Sequence, residues 1–277
     1  MIKHIAISAL GLFMLTACQS DKEQEIPVNF GTEAFDSTAL HIALIPHRES
    51  LPIYYAEQKG IFKRIGLNLQ IASYKSQLEC DTALLGNFAD GGLIDRARLD
   101  SYHKQADRLS ILWQKPYPIQ IFTCHTLRIK HIKNLYGRTI GTTRSSAEDN
   151  VLNFLLDKYQ IAPGDVYRPQ INDMKLRAEM LDGNQIDAAL LSWPYTVLAR
   201  SSQHVPIYTY AESLSRICLV QNTEKCQSER VKKQWELFEK GRKIAADSLK
   251  ILGNTAYSTI LQQEYGIPKE IADTIKF

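Results

Sequence analysis

The sequence lacks a strong excess of either charge. Its 277 residues include 33 lysines and arginines and 30 aspartates and glutamates, which leaves a net charge of +3. A nucleic-acid-binding protein normally shows a clustered basic excess, whereas these charges are interspersed, so no nucleic-acid partner is predicted. Apolar residues make up 44% of the chain, enough for a sizeable core in one large domain or two smaller ones.

Motifs of the common enzyme classes are also missing. The chain contains no Gly-x-Ser-x-Gly, Gly-x-x-x-x-Gly-Lys, Gly-x-Gly-x-x-Gly or His-Glu-x-x-His pattern. These patterns mark a hydrolase nucleophile, a phosphate-binding loop, a dinucleotide-binding fold and a zinc protease. The sequence therefore predicts neither catalytic residues nor a cofactor.

Cysteine is scarce, with five in the chain and no Cys-x-x-Cys pair that would indicate a redox or zinc motif. Four of them permit three disulfide pairings, or remain free thiols: Cys80, Cys124, Cys218 and Cys226. His125 follows Cys124, but the other histidines are scattered without the spacing of metal ligands. No metal site is therefore predicted.

The amino-terminal segment has the pattern of an export signal. Lys3 precedes an uncharged, mostly apolar run at residues 5–17, which is shorter than the about 20 residues of a membrane-spanning helix. The run ends in Leu-Thr-Ala-Cys18, which resembles a bacterial lipobox. That resemblance implies cleavage before Cys18 and its lipidation. An ordinary signal peptide that happens to end near a cysteine is the alternative.

These patterns predict an export signal at residues 1–17 and a flexible polar tether at 18–38. The protein is accordingly expected to be exported and anchored by lipid to a bacterial membrane, where it faces the periplasm or the cell exterior. The sequence leaves open which membrane holds the lipid.

From residue 41 onward, short apolar segments alternate with helical ones. Strands are expected at 41–45 and 68–72, and helices at 52–59 and 77–85. This βαβα rhythm predicts an α/β fold with mainly parallel sheets and helices on both faces.

The alternation of strands and helices is interrupted at residues 115–118, and a second unit of alternating strands and helices follows. Ser145-x-x-Glu148 is a capping-box pattern that opens a helix there, and a late helix is expected behind a Ser228 cap. The sequence predicts two lobes joined by two chain crossings. The first lobe comprises residues 39–118 and 215–277, and the second comprises residues 119–214.

Three segments in order resemble one family. They are Leu-Pro-Ile-Tyr-Tyr-Ala-Glu-Gln-Lys-Gly-Ile-Phe at 51–62 with Ile-Gly-Leu-Asn-Leu at 65–69, Ile-Lys-Asn-Leu-Tyr-Gly-Arg-Thr-Ile-Gly at 132–141, and Met-Leu-Asp-Gly-Asn-Gln-Ile-Asp-Ala-Ala at 180–189 with Trp-Pro-Tyr at 193–195. The family comprises the nitrate, sulfonate, taurine and thiamine-pyrimidine type substrate-binding proteins of ABC importers. The resemblance implies the type II periplasmic binding protein fold, with a ligand cleft between two lobes.

Candidate ligand-binding residues follow from the loops at strand ends, where such sheets bind ligands, checked against the family's pattern. They are His47, Arg48, Glu49, Tyr54, Asp95, Trp113, Thr143, Arg144, Ser145, Trp193 and Tyr195. Arg48 is an anion ligand or a solvated surface residue, and Asp95 accepts a ligand amine or caps the next helix. Tyr54 and Trp113 are ligand contacts or core residues. The stretch at 143–145 precedes a helix whose amino terminus favours an anion.

The resemblance predicts a solute-binding lipoprotein, a monomer that delivers a small organic molecule to an ABC permease and its ATPase. The aromatic pair Trp193 and Tyr195 suggests a planar ligand, and the helix amino terminus permits an anionic group. Two alternatives remain at this point. One is an exported sensor or scaffold on the same fold, and the other, less favoured, is an enzyme on this fold.

Overall fold

The computed structural model describes residues 35–277. The predicted signal peptide at 1–17, Cys18 and most of the predicted tether at 18–38 lie outside the described residues. Nine strands form in the described part. They are β1 (Leu40–Leu44), β2 (Leu69–Ser73), β3 (Gly91–Asp95), β4 (Leu109–Pro116), β5 (Ile119–Thr123), β6 (Ile140–Gly141), β7 (Ala188–Leu191), β8 (Val205–Tyr210) and β9 (Arg216–Asn222).

Ten α-helices accompany these strands between residues 35 and 277. They are α1 (Leu51–Gln58), α2 (Ile61–Arg64), α3 (Gln77–Leu85), α4 (Arg96–Ser101), α5 (Ala147–Lys158), α6 (Met174–Asp182), α7 (Tyr195–Ser201), α8 (Glu229–Ile251), α9 (Ser258–Tyr265) and α10 (Lys269–Ala272). The predicted bounds of α3 are confirmed. So is the Ser228 cap of α8, whose Oγ accepts the backbone N–H of Val231 at 3.3 Å.

The strands form two sheets, and the predicted α/β class is confirmed. The first sheet has the order β2-β1-β3-β9-β4 and the second has the order β6-β7-β5-β8. The chain passes from the first sheet to the second between Pro116 and Ile119, and it returns between Tyr210 and Arg216.

The sheets are mixed, so the prediction of mainly parallel sheets is wrong. β1 pairs in parallel with β2 and β3, and β6 pairs in parallel with β7. The pairs β3–β9, β4–β9, β5–β7 and β5–β8 are antiparallel. The strands next to the two crossings run antiparallel to their neighbours. The alternation of strands with helices along the sequence does not indicate strand direction, so it could not predict these antiparallel pairs.

The central strands β1 and β3 are buried along their whole length, which is why they read as continuous apolar runs. Two glycines let β3 approach its neighbours. A Cβ on Gly92 would lie 2.2 Å from the carbonyl oxygen of Ala43, and one on Gly91 would lie 2.2 Å from that of Val220. The position of β3, and hence of the Asp95 at its end, depends on this close approach.

The start of α5 differs from the prediction. Ser146 is the cap, because its Oγ accepts the backbone N–H of Asp149 at 3.3 Å. Ser145 lies before the helix with a positive φ of 56°. The predicted Ser145–Glu148 capping box is therefore wrong by one residue.

The described end of the predicted tether packs on the first sheet. The Phe35 ring stacks on His41 with the ring centroids 4.5 Å apart, and the Asn68 amide donates to Asp36 Oδ2 at 2.8 Å. None of the helices described in residues 35–277 combines the length and the apolar character needed to cross a membrane.

The cysteines in the described part are free thiols: Cys80, Cys124, Cys218 and Cys226. Three of them are buried, and Cys80 and Cys218 belong to the apolar cluster on one face of the first sheet. Of the alternatives that the sequence left open, the structure shows thiols that pack as small apolar side chains.

Candidate functional site: a cleft between the two sheets

A cleft opens where strand ends of both sheets meet. The space it encloses is about 50 Å³. Its lining comes from the loops that follow β1, β2, β3, β6 and β7, from the two crossings and from the starts of α5, α6 and α7. The lining residues are Ile45, Pro46, His47, Lys75, Gln77, Asp95, Tyr117, Thr143, Ser146, Glu148, Asn172, Met174, Arg177, Ser192, Tyr195 and Ile217. Carboxyl ends of strands are where open α/β sheets bind ligands.

Asp95 connects the two sides of this cleft. Its Oδ1 accepts the backbone N–H of Ala97 at 2.7 Å, which caps α4 beside the first sheet. Its Oδ2 accepts the backbone N–H of Ala147 at 2.7 Å, at the start of α5 beside the second sheet. The Tyr117 hydroxyl also points at Oδ2, at 3.4 Å. One buried carboxylate therefore joins the amino termini of two helices.

Burial raises the pKa of Asp95 from its usual 3.8 to about 7, and the charge of nearby Glu148 adds to the rise. The two accepted backbone hydrogen bonds act in the opposite direction, since they favour the ionised form. Asp95 thus titrates near neutral pH and not in the acidic range of an exposed aspartate.

Three further contacts cross the cleft. Arg98 Nη1 donates to the carbonyl oxygen of Arg144 at 3.0 Å, and Ser76 forms an isolated antiparallel bridge with Asp173. The Tyr195 hydroxyl donates to the carbonyl oxygen of Tyr265 at 3.1 Å. Together with Asp95, these contacts hold the two sheets in a closed arrangement.

Arg177, which lines the cleft, uses its side chain for hydrogen bonds within the protein. The Arg177 side chain is buried and makes four hydrogen bonds. Two go to the carbonyl oxygen of Ile171, one to that of Leu190 and one to Thr143 Oγ1, at 2.6–3.2 Å. These bonds use four of the five guanidinium N–H groups, so Arg177 braces the second sheet and has little left to offer a ligand anion.

Two other buried polar side chains are available to a ligand. Glu148 lines the cleft, is 6% exposed and has no hydrogen-bond partner among residues 35–277. His47 is 5% exposed, and its Nδ1 accepts the backbone N–H of Glu49 at 3.1 Å, which leaves Nε2 to carry the ring proton. Burial lowers the pKa of His47 to about 4, so its imidazole is neutral at physiological pH. The cleft offers a carboxylate acceptor and a neutral donor.

Four of the residues predicted from sequence line the cleft: His47, Asp95, Thr143 and Tyr195. Thr143 is buried against Arg177 as described above. Of the two interpretations of Asp95, the helix cap is confirmed, because Asp95 caps α4. Asp95 also lines the cleft, and its contact with a ligand amine stays a prediction.

Three predicted residues near the first sheet make other contacts. The exposed Arg48 guanidinium lies over the Phe277 ring, 5.1 Å from its centroid. Glu49 Oε2 pairs with Lys115 Nζ at 2.5 Å. Trp113 Nε1 donates to Glu239 Oε1 at 3.1 Å, on a surface that does not line the cleft.

Three more predicted residues belong to the second sheet's loops and make other contacts. Arg144 and Ser145 are exposed, and neither side chain lines the cleft. The half-buried Trp193 packs edge-to-face on Tyr265, with ring centroids 5.7 Å apart.

Tyr54 lines a separate, more open cavity of about 410 Å³ between α1, β2 and α9. Its hydroxyl donates to Ser73 Oγ at 3.0 Å, and Ser73 in turn donates to Glu264 Oε2 at 2.9 Å. This second cavity is lined by Tyr54, Glu57, Gln58, Ile71, Ser73, Ile260, Gln263 and Glu264.

Sequence reasoning missed several lining residues, among them Lys75, Ser146, Glu148, Arg177 and Ser192. Ser146 and Glu148 were within reach of the sequence, because they flank the first turn of a helix that follows a strand. Arg177 lies in the middle of α6 and carries no local signal. Only the packing of α6 against β7 brings it to the cleft.

The comparisons with known proteins agree with this architecture. In structure, the chain is similar to the alkanesulfonate-binding protein SsuA from Xanthomonas axonopodis pv. citri bound to MOPS. The TM-score is 0.67 and the identity 17%, over 87% of this chain and 84% of the other. It is also similar to the periplasmic nitrate-binding protein NrtA from Synechocystis PCC 6803. There the TM-score is 0.67 and the identity 13%, over 86% and 70%.

A third similar structure is the periplasmic aliphatic sulphonate binding protein SsuA from Escherichia coli. The TM-score is 0.63 and the identity 14%, over 85% of this chain and 81% of the other. At these identities the likeness establishes the fold, which is the type II fold of periplasmic binding proteins of ABC importers. No curated protein is similar enough in sequence to count as a relative. The family model described as NMT1/THI5 like matches residues 47–250, well over half of the sequence, and the chain therefore belongs to the NMT1/THI5-like family.

Proposed function

We propose that this protein is an exported, lipid-anchored solute-binding protein that captures a small organic molecule in the cleft and delivers it to an ABC importer. The observation that carries the proposal is the cleft itself. Strand ends of two sheets meet there, and buried polar groups from both sides converge on one space. The lipobox-like sequence that ends at Cys18 supports export and anchoring.

The charges in the cleft favour a ligand that donates hydrogen bonds. Asp95 and Glu148 are both buried there. The basic residues in the lining are the buried Arg177, whose N–H groups are mostly used by the protein, and the exposed Lys75. The amino terminus of α5, where an anion would bind, already holds the Asp95 carboxylate. A ligand with N–H groups or positive charge would pair with Glu148, whereas an anion would lie beside Glu148 and the buried Asp95 carboxyl group.

Ligand capture would work through the contacts that cross the cleft. Opening would break the Asp95–Ala147 hydrogen bond and the Ser76–Asp173 bridge. A ligand that touches both sides, for example Glu148 and His47, would favour the closed arrangement by the free energy of contacts made only there. The closed surface would then dock on a permease.

A thermal-shift screen of the purified protein tests this function. The panel would hold amines and polyamines, nucleobases, thiamine precursors, aromatic acids, sulfonates and oxyanions. Ligand at 100 times its Kd adds about 2.7 kcal/mol to the free energy of unfolding, or roughly 5–10 °C in Tm for a chain of this size. A saturable hit supports capture. A well-folded protein with no hit across the panel would contradict it and favour the exported sensor or scaffold.

A further inference from the structure

A cluster of metal-ligand side chains lies at one end of the second sheet, outside the cleft. β5 and β8 are antiparallel, and their last pair is Thr123 opposite Val205. The next residues along the two strands, Cys124 and His204, therefore meet just beyond the ladder. A 3₁₀ turn at residues 125–127 brings His125 back to the same place.

The ligand atoms of these three residues are close enough for one ion. The Cys124 sulfur and one ring nitrogen each of His125 and His204 all lie within 4.8 Å of one another. The two imidazole rings are 5.1 Å apart at an interplanar angle of 47°. A tetrahedral zinc ion with bonds of about 2.0–2.3 Å needs ligand atoms roughly 3.5 Å apart. Cys124 and His204 are buried, while His125 is exposed. Rotation of the His125 side chain can therefore shorten its distances to the other two ligand atoms to the value that zinc needs.

The orientation of His204 suits metal binding through Nδ1. That nitrogen faces the cluster, where its lone pair accepts the backbone N–H of His125 at 3.2 Å, and a bound metal ion would replace this hydrogen bond. The other nitrogen, Nε2, lies 3.3 Å from Asp182 Oδ1 without the geometry of a hydrogen bond, and the exposed Asp182 side chain can turn to accept the Nε2 proton. A carboxylate behind the far nitrogen of a histidine is the usual arrangement at protein metal sites, because it fixes the ring and makes the ligand more basic.

The surroundings of the sulfur can support a thiolate. Cys124 Sγ lies 2.7 Å from the Asn184 side-chain amide and 3.0 Å from Thr126 Oγ1. In the thiol form, S–H donates to the amide oxygen. Turning the Asn184 amide over would present its NH₂ group to a thiolate, so the same residue serves both forms.

We propose that Cys124, His125 and His204 bind a divalent transition-metal ion, with zinc preferred because one thiolate and two imidazoles match its ligand chemistry. Binding converts the Cys124 thiol to a thiolate and releases one proton to solvent. Three protein ligands leave a fourth position for water. No metal site was predicted from the sequence, because 79 residues separate His125 from His204. The site does not depend on the function proposed for the cleft.

Titration of the full chain with Co²⁺ and Zn²⁺ tests this site. The chain is first reduced and treated with chelator. A bound cobalt ion with a thiolate ligand shows sulfur-to-metal charge-transfer absorption in the near ultraviolet, and Zn²⁺ should abolish that absorption at one equivalent. The variants are Cys124→Ser and His125→Ala, and the matched controls are Cys226→Ser and His131→Ala. His125 and His131 are both exposed, so neither replacement should disturb folding.

The proposal expects the absorption in the wild type and in both controls. It expects no absorption in Cys124→Ser and at least tenfold weaker metal binding in His125→Ala, with circular dichroism unchanged. Absence of the charge-transfer band in the wild type would overturn the proposal. Equal affinity in His125→Ala and His131→Ala would overturn it as well, and this comparison holds even if Cys124→Ser fails to fold.

Discussion

The Asp95 carboxylate accepts the backbone N–H of Ala147 at 2.7 Å, although 52 residues separate the two. Asp95 ends a strand of the first sheet, and Ala147 begins a helix beside the second sheet. The fold thus places its own carboxylate at a helix amino terminus that would otherwise attract an anion. This contact joins the two sides of the cleft, and under the proposed function it would disfavour an anionic ligand at this helix terminus.

Replacing Asp95 with Asn should loosen the closed arrangement. A carboxylate serves Ala97 and Ala147 with separate oxygens, whereas an amide has only one acceptor oxygen. Loss of one buried hydrogen bond costs about 1–3 kcal/mol, enough to populate an open form. Small-angle scattering of the ligand-free protein should show a larger radius of gyration. Asp100→Asn, on the exposed face of α4, is the control, and an Asp95→Asn profile that matches it would contradict the expectation.

The contribution of Asp95 to stability should fall as pH rises from about 4 to about 7, whereas the contribution of His47, whose pKa burial lowers to about 4, rises over part of the same range. Burial and the nearby Glu148 charge raise the pKa of Asp95 from 3.8 to about 7, so in this window the folded protein holds a proton that the unfolded chain has lost. Ionising Asp95 in the folded state therefore costs free energy, and the loss levels off above about pH 7. Urea unfolding measures the free energy of unfolding of the wild type and of Asp95→Asn at each pH. The wild-type value minus the Asp95→Asn value should decline across this range. A flat difference would show that Asp95 has an ordinary pKa, and a rising one would show that its pKa is lowered; either result would contradict the expectation.

The sequence predicted the α/β class, the family resemblance and several element bounds, because periodicity, caps and short motifs are local. It failed where distant parts of the chain meet. The antiparallel strands at the crossings are one example, and Arg177, placed by the packing of α6, is another. Arg144 and Ser145 were predicted as ligand contacts. A positive φ at Ser145 and a cap at Ser146 turn the loop so that other residues face the cleft.

Gly92→Ala should destabilise the first sheet. The added Cβ would lie 2.2 Å from the carbonyl oxygen of Ala43 in the neighbouring strand, so β1 and β3 would have to separate. Overpacking of this kind costs about 1–3 kcal/mol or more. Gly253→Ala is the control, because its Cβ would meet nothing within 4 Å. Chemical denaturation should separate the two variants, and equal midpoints would show that the strands adjust without cost.

Cys18→Ala should abolish lipid attachment, because the lipobox-like pattern makes Cys18 the modified residue. Metabolic labelling with a fatty-acid analogue in a bacterial host checks this expectation. Cys226→Ala, a cysteine far along the chain, should label like the wild type. Continued labelling of Cys18→Ala would refute the lipoprotein assignment while leaving ligand capture in the cleft untouched.

The central claim, that a solute binds in the cleft through Glu148, is tested most directly by calorimetric titration of a ligand found in the screen. Three proteins would be compared: the wild type, Glu148→Gln and Glu264→Gln, the last altered in the second cavity. Loss of a charge-assisted hydrogen bond of about 1.5–3 kcal/mol predicts roughly 10- to 100-fold weaker binding to Glu148→Gln. Glu264→Gln should bind like the wild type. Weaker binding to Glu264→Gln with Glu148→Gln unaffected would place the ligand in the second cavity and contradict the account.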